Sequence, residues 1–141
     1  MTQLLTNIDL DDVCVIEQEC FGKDAWNKNM LQSEYDGGSV FFGIKRDDKV
    51  VAYICARLII DEADINNVAV LPDFRKQGMA QKLIQALVDF CEQKGIKRFT
   101  LEVNANNIPA KNLYGKMGFV SCGVRKGYYH GEDAEIMWLD K

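Results

Sequence analysis

The run from Asn67 to Leu83, NVAVLPDFRKQGMAQKL, passes from an apolar strand-like segment through a basic, glycine-bearing turn directly into a helix. The segment Asp64 to Val70 ends in Val68, Ala69 and Val70, and Leu71, Pro72 and Asp73 then interrupt it. Downstream, Ala80, Leu83, Ile84, Leu87, Val88 and Cys91 recur at the spacing of one helix face. Gly95 supplies a stop, with Lys94 placed to complement the helix dipole. The turn Arg75, Lys76, Gln77, Gly78, Met79 and Ala80 therefore lies over a helix N-terminus, where unpaired N–H groups converge on an anion. Gly78 lets an anion approach the backbone closely, and Arg75 and Lys76 add full charges. An ordinary loop with solvated basic residues would use the same residues. The turn is neither a Walker loop, since the Lys-Ser/Thr pair is missing, nor a dinucleotide fingerprint, since Gly78 stands alone where three glycines are required.

At 141 residues, 48% hydrophobic and 27% charged, the chain has the size of one globular domain spanning residues 1–141, with its own core. Its N-terminal residues lack the basic-then-apolar signature of a signal peptide, and no apolar run reaches about 18 residues, so a cytoplasmic protein is expected. Cys14, Cys20, Cys55, Cys91 and Cys122 form no C-x-x-C pair and sit mostly in apolar contexts, which predicts buried, reduced thiols. With His130 as the only histidine, no metal site is expected. The net charge of −4 argues against general nucleic-acid binding and is compatible with a cationic acceptor.

Along the chain, Gln3 to Thr6 reads as a short strand, followed by a helix capped by Asp9 or Asp11 and running to about Cys20, with Val13, Ile16 and Cys20 inward. A second helix follows Trp26, capped by Asn27, and Asp36, Gly37 and Gly38 end it. Val40 to Lys45 and Val50 to Leu58 form a hairpin turning at Asp47 and Asp48, and Asp64 to Val70 and Arg98 to Val103 are further strands. Asn107 caps a helix with Pro109 in its first turn and Gly118 as its stop. Phe119 to Val124 and Ala134 to Leu139 are strands, joined through an exposed loop holding Tyr128, Tyr129, His130 and Gly131. This alternation implies an α/β domain, its central sheet mixed and mostly antiparallel, with helices on both faces.

Chemistry concentrates near Arg98 to Val103. Phe99, Leu101 and Val103 point one way, while Thr100 and Glu102 point the other. A carboxylate on such a strand pairs, reaches solvent, or faces a cleft. Glu102 lies toward the carboxyl end of its strand, where α/β sheets place ligands, and Tyr114 on the following helix offers a phenol to the same region or to the core.

The loop R-x-x-G-x-A at Arg75 to Ala80, preceded by N-V-A-V, resembles that of the GCN5-related N-acetyltransferases (GNAT), which binds the pyrophosphate of acetyl-CoA. The string LEVNANNIPAKNLYGKMGF matches that family's pattern at Leu101, Val103, Asn107, Ala110, Leu113, Tyr114, Gly118 and Phe119. The L-E-V opening, CFGKDAW from Cys20 to Trp26 and YYHGEDAEIM from Tyr128 to Met137 look more specifically like the bacterial ribosomal-protein alanine N-acetyltransferases, the RimI type. Three positions depart from that pattern. Ala25 precedes Trp26 where proline is common, Asn104 follows L-E-V where many carry arginine, and Ala80 replaces the last loop glycine.

The resemblance implies a GNAT fold and direct acetyl transfer to a protein α-amine, that of a ribosomal protein beginning with alanine. Glu102 would be the general base, Tyr114 the general acid and Asn107 a cofactor contact. The turn from Arg75 through Gln81 would hold the pyrophosphate, and Val68, Ala69 and Val70 would pair with the pantetheine amides and face the reacting carbonyl. Trp26, Tyr128 and Tyr129 would line a groove for the acceptor N-terminus, or else anchor the core. Transfer to a lysine side chain or small amine, or a non-catalytic acyl-CoA-binding module, stays open. An acyl-cysteine route is disfavoured, since no cysteine has an evident histidine and orienting acid.

Overall fold

Val50 to Ala56 are buried at seven successive positions, with none of the alternation of a half-exposed strand. Such a run has to be covered on both faces. A computed structural model describes residues 1–129 and 131–141, so His130 of the expected Tyr128–Gly131 loop lies outside the described residues. The strands are β1 (Thr2–Leu4), β2 (Val40–Arg46), β3 (Lys49–Ile59), β4 (Glu62–Val70), β5 (Arg98–Asn104), β6 (Val120–Tyr129) and β7 (Glu132–Asp140). The helices are α1 (Leu10–Phe21), α2 (Lys28–Asp36), α3 (Met79–Glu92) and α4 (Ile108–Lys116). Among the described residues one sheet runs β1-β2-β3-β4-β5-β7-β6, antiparallel throughout except where β4 meets β5.

Two cores flank this sheet. Helices α1 and α2 bring Leu10, Val13, Ile16 and Leu31 onto Phe41 and Tyr53 on one face. On the other, the stripe Leu83, Ile84, Leu87, Val88 and Cys91 of α3 packs on Ile54, Ile65, Phe99 and Leu101, with Leu113 and Tyr114 of α4 beside it. Each fully buried aliphatic or aromatic side chain contributes about 1.5–3 kcal/mol, so the helix stripes secure the sheet rather than merely decorating it. Asp47 and Asp48 turn the β2–β3 hairpin with φ of 52° and 65°, the left-handed pair a two-residue turn demands.

Several expectations are corrected. Strand β1 is Thr2–Leu4 rather than Gln3 to Thr6, because Leu5 turns into the core against Gly43, where a Cβ would lie 2.8 Å from Leu5 Cδ1. Asp9 stands at the start of α1, but its carboxylate accepts from the Thr6 N–H at 2.9 Å and pairs with Lys45 at 3.0 Å instead of capping that helix. Tyr128 and Tyr129 are not in a loop: β6 extends to Tyr129, which pairs with Glu132 of β7, and Gly131 at φ 93° serves the tight turn. All five cysteines are free, but Cys122 is exposed on edge strand β6 and Cys14 and Cys20 are only partly buried. Among the described residues no helix is long and apolar enough to cross a membrane.

One irregularity positions everything that follows. Strand β4 pairs in parallel with β5 over just four residue pairs, Glu62 with Arg98 through Ile65 with Leu101. Opposite β3 the register then slips: Ala56 faces Ile65 while Cys55 faces Asn67, leaving Asn66 as an extra, bulged residue. A bulge bends its strand and ends local pairing. Beyond it, Asn67 to Val70 stay on β3 and Glu102 to Asn104 stay on β7, so the carboxyl ends of β4 and β5 part and a wedge opens inside the sheet.

Candidate active site

The wedge has three walls. On the β4 side, the main-chain groups of Val68, Ala69 and Val70 that face away from β3 take no part in the pairing with β5. Apart from Val70 O, which accepts from Arg75 Nε and Cys20 Sγ, they form an internal strand edge on which an extended ligand can add main-chain hydrogen bonds. On the β5 side stands Glu102, and α4 follows it with Tyr114. At the mouth lies the turn into α3.

That turn has the geometry of an anion seat. Lys76 (φ 65°) and Gly78 (φ 77°) both take left-handed backbone conformations, and the first main-chain bond of α3 runs from Lys82 N to Gly78 O at 3.1 Å. The N–H groups of Met79, Ala80 and Gln81 therefore precede the helix ladder and point out of its positive end. A Cβ built on Gly78 meets no atom within 4 Å, so the space before the turn is open. The residues fit a pyrophosphate. Two side chains behave differently from a simple basic cradle. Met79 is buried and offers only its main chain, and Arg75 turns back, its Nε donating to Val70 O at 2.9 Å and its Nη2 lying 3.6 Å from Cys20 Sγ. Arg75 thus fastens the turn to the end of β4. Lys76 and Gln77 are exposed.

Glu102 sits on the strand face opposite Phe99, Leu101 and Val103, which are buried as the alternation required. Its Oε1 is 3.0 Å from Arg125 Nη2 of β6, while Oε2 is buried with no hydrogen-bond partner among the described residues. A buried carboxylate oxygen without a donor is an unused acceptor. Around it lie the two tyrosines. The Tyr129 hydroxyl donates to the Glu102 carbonyl at 3.3 Å, Tyr128 meets Tyr129 edge-on at 4.9 Å, and the Arg125 guanidinium lies 5.1 Å over the Tyr128 ring. Burial, then Tyr128 and Glu102, push the Tyr129 phenol up.

Tyr114 packs its ring on Phe119 at 5.9 Å, and burial, with Tyr129 close by, pushes its phenol up to about 12. Tyr129, whose hydroxyl donates to the Glu102 carbonyl, is also near enough to Tyr114 to help raise its phenol. Asn107 caps α4, its Oδ1 accepting from the Ala110 N–H at 3.3 Å, and sets the start of the helix that carries Tyr114.

Trp26 lies on the α1–α2 side, partly buried, and lines an open groove of about 380 Å³ with Asn27, Met30 and Glu34. Several polar residues near the site escape the sequence reading. Glu17 is 1% exposed and binds Trp26, Tyr53 and Asn67, and Arg125 pairs with Glu102. A signal for Glu17 was present: with Val13, Ile16 and Cys20 it falls on the inward stripe of α1, and Asn66 and Asn67 interrupt an apolar strand. Arg125 carried no such signal, since its partner is met only through the sheet.

The profile described as "Acetyltransferase (GNAT) family" matches residues 10–119. The ribosomal protein bS18-alanine N-acetyltransferase of Escherichia coli (strain K12) is 32% identical over 139 residues, covering 96% of this chain and 93% of that protein. A Bacillus subtilis (strain 168) protein provisionally given the same name is 35% identical over 137 residues, covering 93% of this chain and 89% of that protein. Among solved structures, the crystal structure of the ribosomal-protein-S18-alanine N-acetyltransferase from Escherichia coli superposes with a TM-score of 0.92 at 32% identity, covering 99% of this chain and 92% of that one. Ard1 from Thermoplasma volcanium shares the fold at a TM-score of 0.90 and 24% identity, covering 99% of this chain and 96% of that one.

Proposed function

This chain belongs to the acetyltransferase (GNAT) family, and from that premise we propose that it transfers acetyl from acetyl-CoA to the N-terminal α-amine of a protein, the alanine of a small-subunit ribosomal protein. The observation that carries the reading is the wedge between β4 and β5, with a strand edge unpaired with β5 on one side and Glu102 Oε2, which has no hydrogen-bond partner among the described residues, on the other. The names of the relatives support the acceptor.

The donor supplies an activated thioester carbonyl and a thiol that leaves readily. Main-chain N–H groups of Met79, Ala80 and Gln81, with Lys76 and Gln77 beside them, hold the pyrophosphate at the mouth of the wedge. Val68, Ala69 and Val70 extend the sheet onto the pantetheine arm, and a main-chain N–H of this edge faces negative charge as it builds on the carbonyl oxygen. Asn107, by fixing the start of α4, orients the side of the wedge nearest the thiol.

An α-amine has a pKa near 8, so a fraction is neutral at physiological pH, and Glu102 has one proton to accept, directly or through water. Its Oε2 is the acceptor without a donor among the described residues, while Arg125 holds Oε1 in place. Tyr114 stays protonated across the physiological range and donates to the departing sulfur. Trp26 with Tyr128 and Tyr129 lines the approach of the extended N-terminus.

Mass spectrometry of a peptide bearing the alanine-first ribosomal N-terminus, incubated with the protein and acetyl-CoA, tests the reading. One acetyl group on the α-amine is expected. Acetyl on an internal lysine, on small amines alone, or on nothing would refute it.

A further inference from the structure

The bulge that opens the wedge is made by two adjacent asparagines, and each is held by a carboxylate from a different helix. Asn67 Nδ2 donates to Glu17 Oε2 of α1 at 3.1 Å. Asn66 Nδ2 donates to Glu34 Oε1 of α2 at 3.2 Å. Glu17 is 1% exposed, and its other bonds reach across the site: Oε2 accepts from the Tyr53 hydroxyl of β3 at 2.5 Å, and Oε1 from the Trp26 N–H at 2.9 Å. Glu34 is held in turn by Ser39 at 2.8 Å and Arg57 at 2.6 Å, and it lines the groove that contains Trp26.

A buried carboxylate is costly unless donors surround it, and an apolar residue at position 17 would pack against Val13 and Ile16 without that cost. Two paired asparagines inside a strand are equally poor choices for sheet stability. What the arrangement supplies is geometry. One carboxylate ties the main chain of the acceptor-side segment at Trp26 to Asn67, two residues past the last pair of β4 with β5. We infer that Glu17 and Asn67, with Glu34 and Asn66 as a second arm, are positioning residues: a buried clamp that sets the acceptor wall relative to the edge Val68–Val70, unpaired with β5. The clamp touches neither reacting group. It acts by fixing the distance between the segment that seats the amine and the strand that seats the thioester.

The chemistry of Glu17 makes this testable without a large change of shape. Its carboxylate accepts from three donors. A Gln at 17 keeps the bond from Trp26 and is met by the Asn67 amide turned over, its Oδ1 accepting from the new NH2, so Glu17→Gln retains the arm with its direction reversed. Asn67→Ala removes the arm and leaves Glu17 its bonds from Trp26 and Tyr53.

The inference rests on the acetyl-transfer reading, so the full-length protein is assayed for both. Wild type is measured first with acetyl-CoA and the alanine-first peptide, and no transfer there refutes that reading and not the clamp. Asn67→Ala is expected to raise the peptide KM about tenfold, the scale of one buried hydrogen bond left unmatched, with acetyl-CoA affinity within about threefold because the turn at 75–81 is untouched. Hydrogen exchange at Trp26 and Asn67–Val70 should quicken in Asn67→Ala, while exchange and KM in Glu17→Gln stay near wild type because the arm is kept. Glu17→Ala, which removes every acceptor, should raise the KM at least as far. A peptide KM unchanged in both alanine variants, with only a lowered Tm, would overturn the clamp. So would unchanged exchange in Asn67→Ala, or a Glu17→Gln variant as impaired as Glu17→Ala.

Discussion

Tyr114→Phe isolates a single hydroxyl, and the structure sets how large its effect should be. Burial raises the Tyr114 phenol from an ordinary 10 to about 12, which disfavours the phenolate by about 2.7 kcal/mol. A coenzyme thiol ionises near 8.5, so handing a full proton from this phenol to the departing thiolate is uphill by about 4.8 kcal/mol. Tyr114 therefore serves as a hydrogen-bond donor to sulfur that is gaining charge, with the proton staying on oxygen. A hydrogen bond to a charged group is worth about 1.5–3 kcal/mol, so turnover should fall about 10- to 150-fold. The ring stays on Phe119 in the variant, so the packing of α4 is retained. Steady-state assay of thiol release with saturating peptide reads kcat, and isothermal titration reads acetyl-CoA affinity, expected within about threefold of wild type. The wild-type profile should show no Tyr114 limb up to about pH 10, since the phenol titrates near 12. A fully active Phe variant, or a Tyr-dependent limb below pH 10, would refute the reasoning and return Tyr114 to the core.

Glu102→Gln should lower kcat by about 10²–10⁴-fold, with residual activity climbing as pH passes the amine pKa near 8; a loss independent of pH would remove the base role. Gly78→Ala places a side chain at φ 77°, at a conformational cost of about 1–2 kcal/mol, so acetyl-CoA affinity read by calorimetry should weaken about tenfold, and unaltered affinity would count against the anion seat. For Asp9, burial pushes the carboxyl up, but the Thr6 N–H and Lys45 together hold it below its ordinary 3.8. A depressed carboxyl contributes stability above its unfolded pKa and loses it as pH falls through the folded one, so Asp9→Asn should cost roughly 1–3 kcal/mol at pH 7 and progressively less as pH falls below the ordinary 3.8. Glu17 has the opposite sign, because burial raises it above 4.5 despite its three donors. Its stabilising contribution is complete below 4.5 and declines as pH rises past it, so urea denaturation should show the stability difference between wild type and Glu17→Gln shrinking across that window, and a widening gap would contradict the raised value.

The fate of individual residues follows the range of the forces that place them. The α3 stripe, the Asn27 and Asn107 caps and the Asp47–Asp48 turn depend on neighbours within a few positions, and the structure forms each where the sequence indicates. The face assignment along β5 holds for the same reason. Where the reading departs, a specific partner outweighs propensity. Asp9 is drawn from its capping role by the Thr6 N–H and by Lys45 on β2, Arg75 is turned by the Val70 carbonyl with Cys20 of α1 beside it, and the segment ending at Tyr129 is drawn into β6 by pairing with β7. Glu17 sat visibly on an apolar stripe, yet its donors come from two strands and a turn that adjoin only in the folded chain.

From the sequence alone came an α/β domain, a turn suited to an anion at the start of α3, and the motif that ties it to acetyl transfer. All of these are written in residues at short, fixed separations, where helical and strand periodicity act. The wedge itself belongs to the tertiary structure. It exists because one extra residue in β4, opposite β3, ends the parallel ladder with β5 after four pairs, and because carboxylates from α1 and α2 hold the two asparagines of that bulge. The pairing of Glu102 with Arg125 likewise joins residues 23 positions apart in sequence, on strands that lie on either side of β7. Such contacts are chosen by packing across the sheet, and no local pattern encodes them.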